Sequence, residues 1–403
     1  MRIEQRIRHS FVDACVAIAA GLAALAGCSG SSGAGGAQPA QSTLSSAAQL
    51  GEKIFADSSL SASGRIACAT CHDPEHALAS AINEPVPTGG VDLDIQGFRN
   101  APSLRYTNLT PTFSFNNDGA PIGGFDRDGR APTLAEQARR PFLAEHEMAN
   151  PSVADVATKL SVATYANEFK RVFGADVFDQ PEVAFDRAMF ALQRYETEDP
   201  DFAPFDSKYD YFLAGKARLS DVEMRGLALF NDPLKGNCAA CHPSGRGPDG
   251  AAPLFTDFSY DNLGVPRNAA IPANDDPTYF DLGLCGPFRD DLATARELCG
   301  TFKVPTLRNI AVTAPYFHNG RFATLTEALG FYVRRDTDPD EWYPLDTNGE
   351  VRKFDDLPPE YVANVNTNEV PYNRHSGDAP ALSPDEIAEV IAFLQTLTDG
   401  YHP

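Results

Sequence analysis

The chain has 403 residues, 43% of them apolar, which is enough to bury a sizeable core and suits two domains better than one. Its formal charge of -22 argues against nucleic acid, whose phosphates it would repel, and favours a neutral or basic partner.

The chain begins MRIEQRIRHSFVDACVAIAAGLAALAGC, with Arg2, Arg6 and Arg8 ahead of an apolar run. That run has the length of a signal-peptide core and is too short to span a bilayer comfortably. Residues 1–27 are therefore expected to be an export signal. Leu25, Ala26, Gly27 and Cys28 resemble the bacterial lipobox, so Cys28 is expected to carry lipid and start the mature chain. An ordinary secretory signal with an incidental Cys28 is the alternative. Residues 28–44 are rich in Gly, Ser and Ala, cannot build a core, and read as a flexible tether. The expected location is the periplasm, on a lipid anchor, with the outer membrane favoured over the inner.

Next comes a repeat. GEKIFAD, Gly51 to Asp57, precedes CATCH, Cys68 to His72; GLALFND, Gly226 to Asp232, precedes CAACH, Cys238 to His242. CxxCH attaches c-type haem: two thiols at that spacing reach the two vinyl groups of one porphyrin, and the following imidazole ligates the iron. A dithiol redox pair or a zinc site would require His72 and His242 both to be accidental. Two covalent haems are expected, bound by Cys68, Cys71 and His72 and by Cys238, Cys241 and His242.

Each GxxxFxD segment reads as a helix leading into its haem loop. Capping boxes mark helix starts at Ser220 with Glu223, at Thr324 with Glu327 and at Ser383 with Glu386, the last helix stopping near Gly400. Strand signals are sparse and Pro/Gly-rich loops abundant. The expected fold is mainly α, with two tandem cytochrome c-like domains, 45–215 and 216–403, and long irregular loops. Cys285 and Cys299 remain; an oxidising compartment permits them to pair as a staple, a redox role being the alternative. TLTEALGFY, Thr324 to Tyr332, places Tyr332 on the apolar face of its helix, where a packed tyrosine with a tethered hydroxyl is the local expectation.

Several segments at fixed spacing resemble the bacterial diheme cytochrome c peroxidase family and its MauG branch. They are RNAPSL at Arg99 to Leu104, DGRAPTLAEQARRPFLAEHEM at Asp128 to Met148, both haem motifs, and DLGLCGPFRDDLATARELCGTFKVPTLRNIAVTAPYFHNGRFATLTEALGFY at Asp281 to Tyr332. The resemblance implies that one haem activates peroxide while the other accepts or stores electrons. It makes Glu147 the distal carboxylate that moves a proton during O–O cleavage, with Gln137 and Pro141 as its companions in the first pocket. His146, adjacent to Glu147, is expected to point away as a bystander.

Family peroxidases close the resting first haem with a histidine from the loop before RN. Here that loop contains only His76, and Asp92 stands at the aligned position, so the first haem is expected to be open with His72 as its only protein ligand. The peroxidases take the second haem's sixth ligand, a methionine, from fourteen residues beyond the histidine matching His318; that position is Tyr332. The methionines are Met1, Met148, Met189 and Met224, none of them after CAACH. Tyr332 is therefore expected to ligate the second iron, favouring its oxidised states. His318 is expected to be a structural residue between the haems. Asn100, Thr313 and Pro315 match the family's calcium ligands between the haems. At the usual inter-haem tryptophan stands Arg127; the only tryptophan is Trp342, leaving Phe125 or Tyr106 as aromatic substitutes.

The expected function is a periplasmic, H2O2-dependent diheme oxidase of MauG type, drawing electrons from a partner protein or donor. The alternatives are a conventional peroxidase fed by a small redox protein and a non-catalytic diheme electron carrier. Glu147 and an open first haem discriminate, since a carrier needs neither.

Overall fold

The computed structural model describes residues 44–81 and 84–403. The export signal, the Cys28 lipid site and the tether up to residue 43 lie outside the described residues. Among these there are ten α-helices and three two-stranded antiparallel ladders of two residues per strand, joined by long turns. No described helix is long and apolar enough to cross a membrane.

The repeat has a physical cause. The first helix, Ser46–Ala56, packs across Pro181–Glu198, and in the second half Asp221–Asn231 packs across Pro384–Gln395. Both crossings are tight at a glycine. A Cβ on Gly51 would overlap the Ala191 carbonyl, and one on Gly226 would overlap the Glu389 carbonyl. Tyr195 and Phe393 follow at equivalent places, each four residues on. The glycine of each GxxxFxD segment is thus the contact point that lets two helices approach closely enough to support a CxxCH loop. The phenylalanine of each segment, Phe55 or Phe230, is buried in its own core.

Two cores follow the two repeats. Leu50, Ile54, Phe142, Phe185 and Phe202 belong to the first, and Tyr209, Phe230, Phe255, Val390 and Phe393 to the second. A third cluster, around Phe322, Phe331 and Tyr343, extends the second half. Tyr209 lies ahead of the boundary drawn at 215 and packs with the second core.

Capping boxes occur at Ser220, Thr324 and Ser383, each with its glutamate three residues on. The last helix ends at Gln395, short of the expected Gly400. The two carbonyls just past its end are claimed from outside: Tyr209 N donates to Thr396 O at 3.0 Å and Asn309 N to Leu397 O at 3.0 Å. Asp399 then turns inward to accept from Tyr106 Oη at 2.7 Å and Asn309 Nδ2 at 2.6 Å.

The halves are tied by buried charge. Arg99 donates to Asp128 at 2.7 Å and through Nε and Nη2 to Asp281 at 2.6 and 2.7 Å. Arg308 forks onto Asp210 at 2.8 and 2.9 Å while stacking 4.7 Å from the Tyr106 ring. Cys285 and Cys299 are bonded, with Cα atoms 4.7 Å apart.

Candidate functional site: two cavities joined by a polar bridge

The first cavity, about 300 Å³, is lined by Cys68, Cys71, His72, Gln137, Pro141 and Glu147. Cys68–Cys71 form a single helical turn, and His72 N closes it by donating to Cys68 O at 2.9 Å. His72 Nδ1 lies 3.2 Å from Leu78 O, so it carries the ring proton and leaves Nε2 as the free lone pair. Gln137 and Pro141 stand four residues apart on the helix Leu134–Leu143, hence on one face. The turn that follows brings Glu147 to the same cavity.

Burial pushes the Glu147 carboxyl up to about 7; Asp126 adds to the rise and Arg130 opposes it. Its side chain is 41% exposed, into the cavity that it lines. His76 and Asp92 do not line this cavity. His76 is bound to Asp73 Oδ2 at 2.8 Å, and Asp92 is exposed.

One expectation is corrected. His146 does not point away from Glu147: both line the cavity, with Nε2 3.8 Å from Glu147 Oε1. The rule that neighbours diverge holds for helix and strand, whereas residues 145–148 form a turn. Three further wall residues escaped the sequence reading. Phe98 precedes RNAPSL, and Phe288 reaches in from the disulfide-closed loop of the other half, their ring centroids 5.3 Å apart. Glu196 is 3% exposed with Oε2 unbonded, and burial raises its carboxyl to about 8. No local pattern marks a residue that arrives from a distant segment; Glu196 alone had a signal, since it occupies the place that Leu394 has in the second repeat.

The second cavity, about 340 Å³, is lined by Cys238, Cys241, His242 and Tyr332. His242 Nδ1 donates to Phe255 O at 2.7 Å, again leaving Nε2 free. Burial holds the His72 and His242 imidazoles below their usual range, which favours the neutral form that a metal ligand needs. The Tyr332 ring packs 5.5 Å from Phe317 and 6.1 Å from Tyr372. Its hydroxyl makes no hydrogen bond among the described residues, so the local expectation of a tethered hydroxyl does not hold. Among the described residues no methionine lines this cavity: Met148 and Met189 are buried in the first core and Met224 is on the surface. The thiol pairs, the free imidazole nitrogens and the apolar walls fit a c-type haem in each cavity.

Between the cavities lie Asn100, Asp126 and Arg127, which line both. Arg127 Nε donates to Asn100 O at 3.0 Å. Asn100 also contacts Pro315 O through its side-chain amide, and Thr313 lines the same wall. His318 is 8% exposed and stacks on Phe302 at 3.8 Å. Burial, with Arg99 and Arg127 nearby, drives its imidazole down to about 3 against the pull of Asp281, so it stays neutral. Tyr106 and Phe125 line only the second cavity, and Trp342 lines neither.

A family model described as di-haem cytochrome c peroxidase matches residues 45–218. The methylamine utilization protein MauG of Paracoccus denitrificans is 36% identical over 365 residues, 88% of this chain and 89% of that protein. Cytochrome c551 peroxidase of Nitrosomonas europaea is 30% identical over 357 residues, 87% of this chain and 79% of that protein. Among solved structures, the diheme peroxidase BthA of Burkholderia thailandensis aligns with a TM-score of 0.80 at 40% identity, over 88% of this chain and 86% of that one. A tyrosine-to-methionine variant of BthA aligns with the same TM-score at 39% identity, with the same coverage of both chains.

Proposed function

The chain belongs to the di-haem cytochrome c peroxidase family, and on that footing we propose that it is an oxidase of the MauG kind. It acts with hydrogen peroxide at the first cavity and takes electrons over a distance from a partner protein or donor. The haems, when bound, supply an iron at which the O–O bond of peroxide is broken and a second iron that shares the oxidising charge.

The chain's own residues do the rest. Cys68 and Cys71 would hold the first haem covalently and His72 Nε2 would ligate its iron, with the Glu147 side of the cavity left to peroxide. Glu147 accepts the proton of the inner peroxide oxygen and returns it to the outer one, which then leaves as water. Gln137 and Pro141 wall the same space. Cys238 and Cys241 would attach the second haem, and His242 and Tyr332 would ligate its iron.

The observation that carries this reading is Tyr332: an unbonded phenol facing a cavity that contains no methionine. Electron paramagnetic resonance on the ferric holoprotein should give one high-spin and one low-spin signal without prior reduction; two low-spin signals would sink the open first site. Tyr332→Met should change the low-spin signal and raise the potential of the second haem. An unchanged spectrum would return Tyr332 to the core. The conventional peroxidase reading draws on the Nitrosomonas relative. Fast steady-state oxidation of a reduced small cytochrome, undiminished in Tyr332→Met, would favour it.

Calcium fits the bridge. With its amide turned over, Asn100 would present Oδ1 beside the Pro315 carbonyl and near Thr313. Elemental analysis should find one calcium per chain, and its absence would remove the ion from the account. The periplasmic location and the lipid on Cys28 rest on the leader pattern. Loss of palmitate labelling in Cys28→Ser checks the anchor.

A further inference from the structure

We propose that His146 is the proton carrier linking Glu147 to solvent, an inference that rests on the Glu147 reading above. Reduction of peroxide to two waters consumes two electrons and two protons. Glu147 moves a proton from one peroxide oxygen to the other, which leaves the proton count unchanged, so both protons must enter from outside. The groups around Glu147 that could pass them are few. Arg99, Arg130 and Arg140 line the cavity but do not release protons at neutral pH. Asp126 is engaged by Arg130 at 3.0 Å. Glu196 lies deep in the core beside the Cys68 attachment.

His146 differs from all of these. Its Nε2 is 3.8 Å from Glu147 Oε1, about an ångström beyond a hydrogen bond, and such contacts tighten once substrate is bound. Neither ring nitrogen has a hydrogen bond among the described residues. The preceding residue, Glu145, is exposed and its charge acts on the imidazole, and the His146 side chain is itself 24% exposed while its Nε2 faces Glu147.

The turn is held rigidly. Glu147 N donates to Ala144 O and Met148 N to Pro141 O, both at 3.0 Å. The backbone of His146 and Glu147 lies against Gly89, where no side chain would fit. The ring is set edge-on to Phe98 at 4.9 Å. In the transfer, a proton passes from Nε2 to the Glu147 carboxylate while Nδ1 takes one from solvent, and the ring then returns to its first tautomer by exchange.

The test is steady-state turnover of the holoprotein with H2O2 and ABTS, from dilute to concentrated phosphate buffer, for the native chain, His146→Leu and His146→Gln. Both variants should turn over about 10- to 100-fold more slowly in dilute buffer, and rising phosphate should restore the rate, while the native rate stays independent of buffer. Undiminished turnover in dilute buffer would overturn the proposal. So would a loss that phosphate does not repair, or full activity in His146→Gln, which keeps a polar group without carrying protons. As a readout separate from activity, the infrared carboxylic-acid band assigned through Glu147→Gln should shift in His146→Leu; an unmoved band counts against the contact. If Glu147→Gln itself leaves turnover intact, the Glu147 reading fails instead.

Discussion

At the residue scale, charge and burial around Glu147 make a pH prediction. The carboxylate is the form that accepts the peroxide proton, and the group titrates at about 7. The rate of the first reaction with peroxide should therefore rise with pH through about 7 and level off above it. Arg130 lowers this value, so Arg130→Ala should move the midpoint upward, and Glu147→Gln should abolish the dependence with a rate loss of about 10²- to 10⁴-fold. Stopped-flow kinetics across neutral pH checks all three. That the CxxCH thiols and histidines, Glu147 and Tyr332 line the two cavities was legible because each sits at a fixed spacing in a motif. His146 was misread because a pairwise rule for regular structure was applied to a turn.

At the scale of elements, the two halves answer one problem with different side chains. Where the final helix places Leu394, the helix Pro181–Glu198 places Glu196, buried and unpaired at Oε2. Its folded carboxyl holds a proton up to about 8, against an ordinary 4.5. Between these values the folded state binds more protons than the unfolded one, so the stability owed to this group declines as pH rises through that window. The span corresponds to about 5 kcal/mol. Glu196→Leu should flatten this slope, raising Tm at pH 8 more than at pH 5, as calorimetry would show. An equal rise at both would mean that the carboxyl is not protonated in the fold. Helix starts were readable from Ser220, Thr324 and Ser383 because a capping box is local. The end of the last helix was not, because partners from the Tyr209 and Asn309 segments take the carbonyls of Thr396 and Leu397, where the helix would otherwise continue.

For the whole molecule, the Arg99 cluster joins the halves beside the first cavity. Arg99 is sandwiched near Phe288 at 4.8 Å and Phe302 at 5.5 Å while neutralising Asp128 and Asp281. Arg99→Ala would leave Asp281 buried without its cation and Asp128 with Arg130 alone, so a loss of about 3–5 kcal/mol is expected in denaturant unfolding. Asp281→Asn, which removes one charge of the group, should cost less.

The sequence by itself determined the two haem motifs, the helical class, the repeat and most of the residues that line the two cavities. These follow from short covalent spacings and helix periods that need no knowledge of distant segments. The tertiary structure alone decided what surrounds those residues. It brings Phe288 from one half to the first cavity of the other and sets Arg127 and Asn100 against both cavities. It also leaves the Tyr332 hydroxyl without a partner and turns His146 toward Glu147. Each of these depends on backbone segments meeting at long range or on the geometry of an irregular turn, where no period relates position in the chain to direction in space.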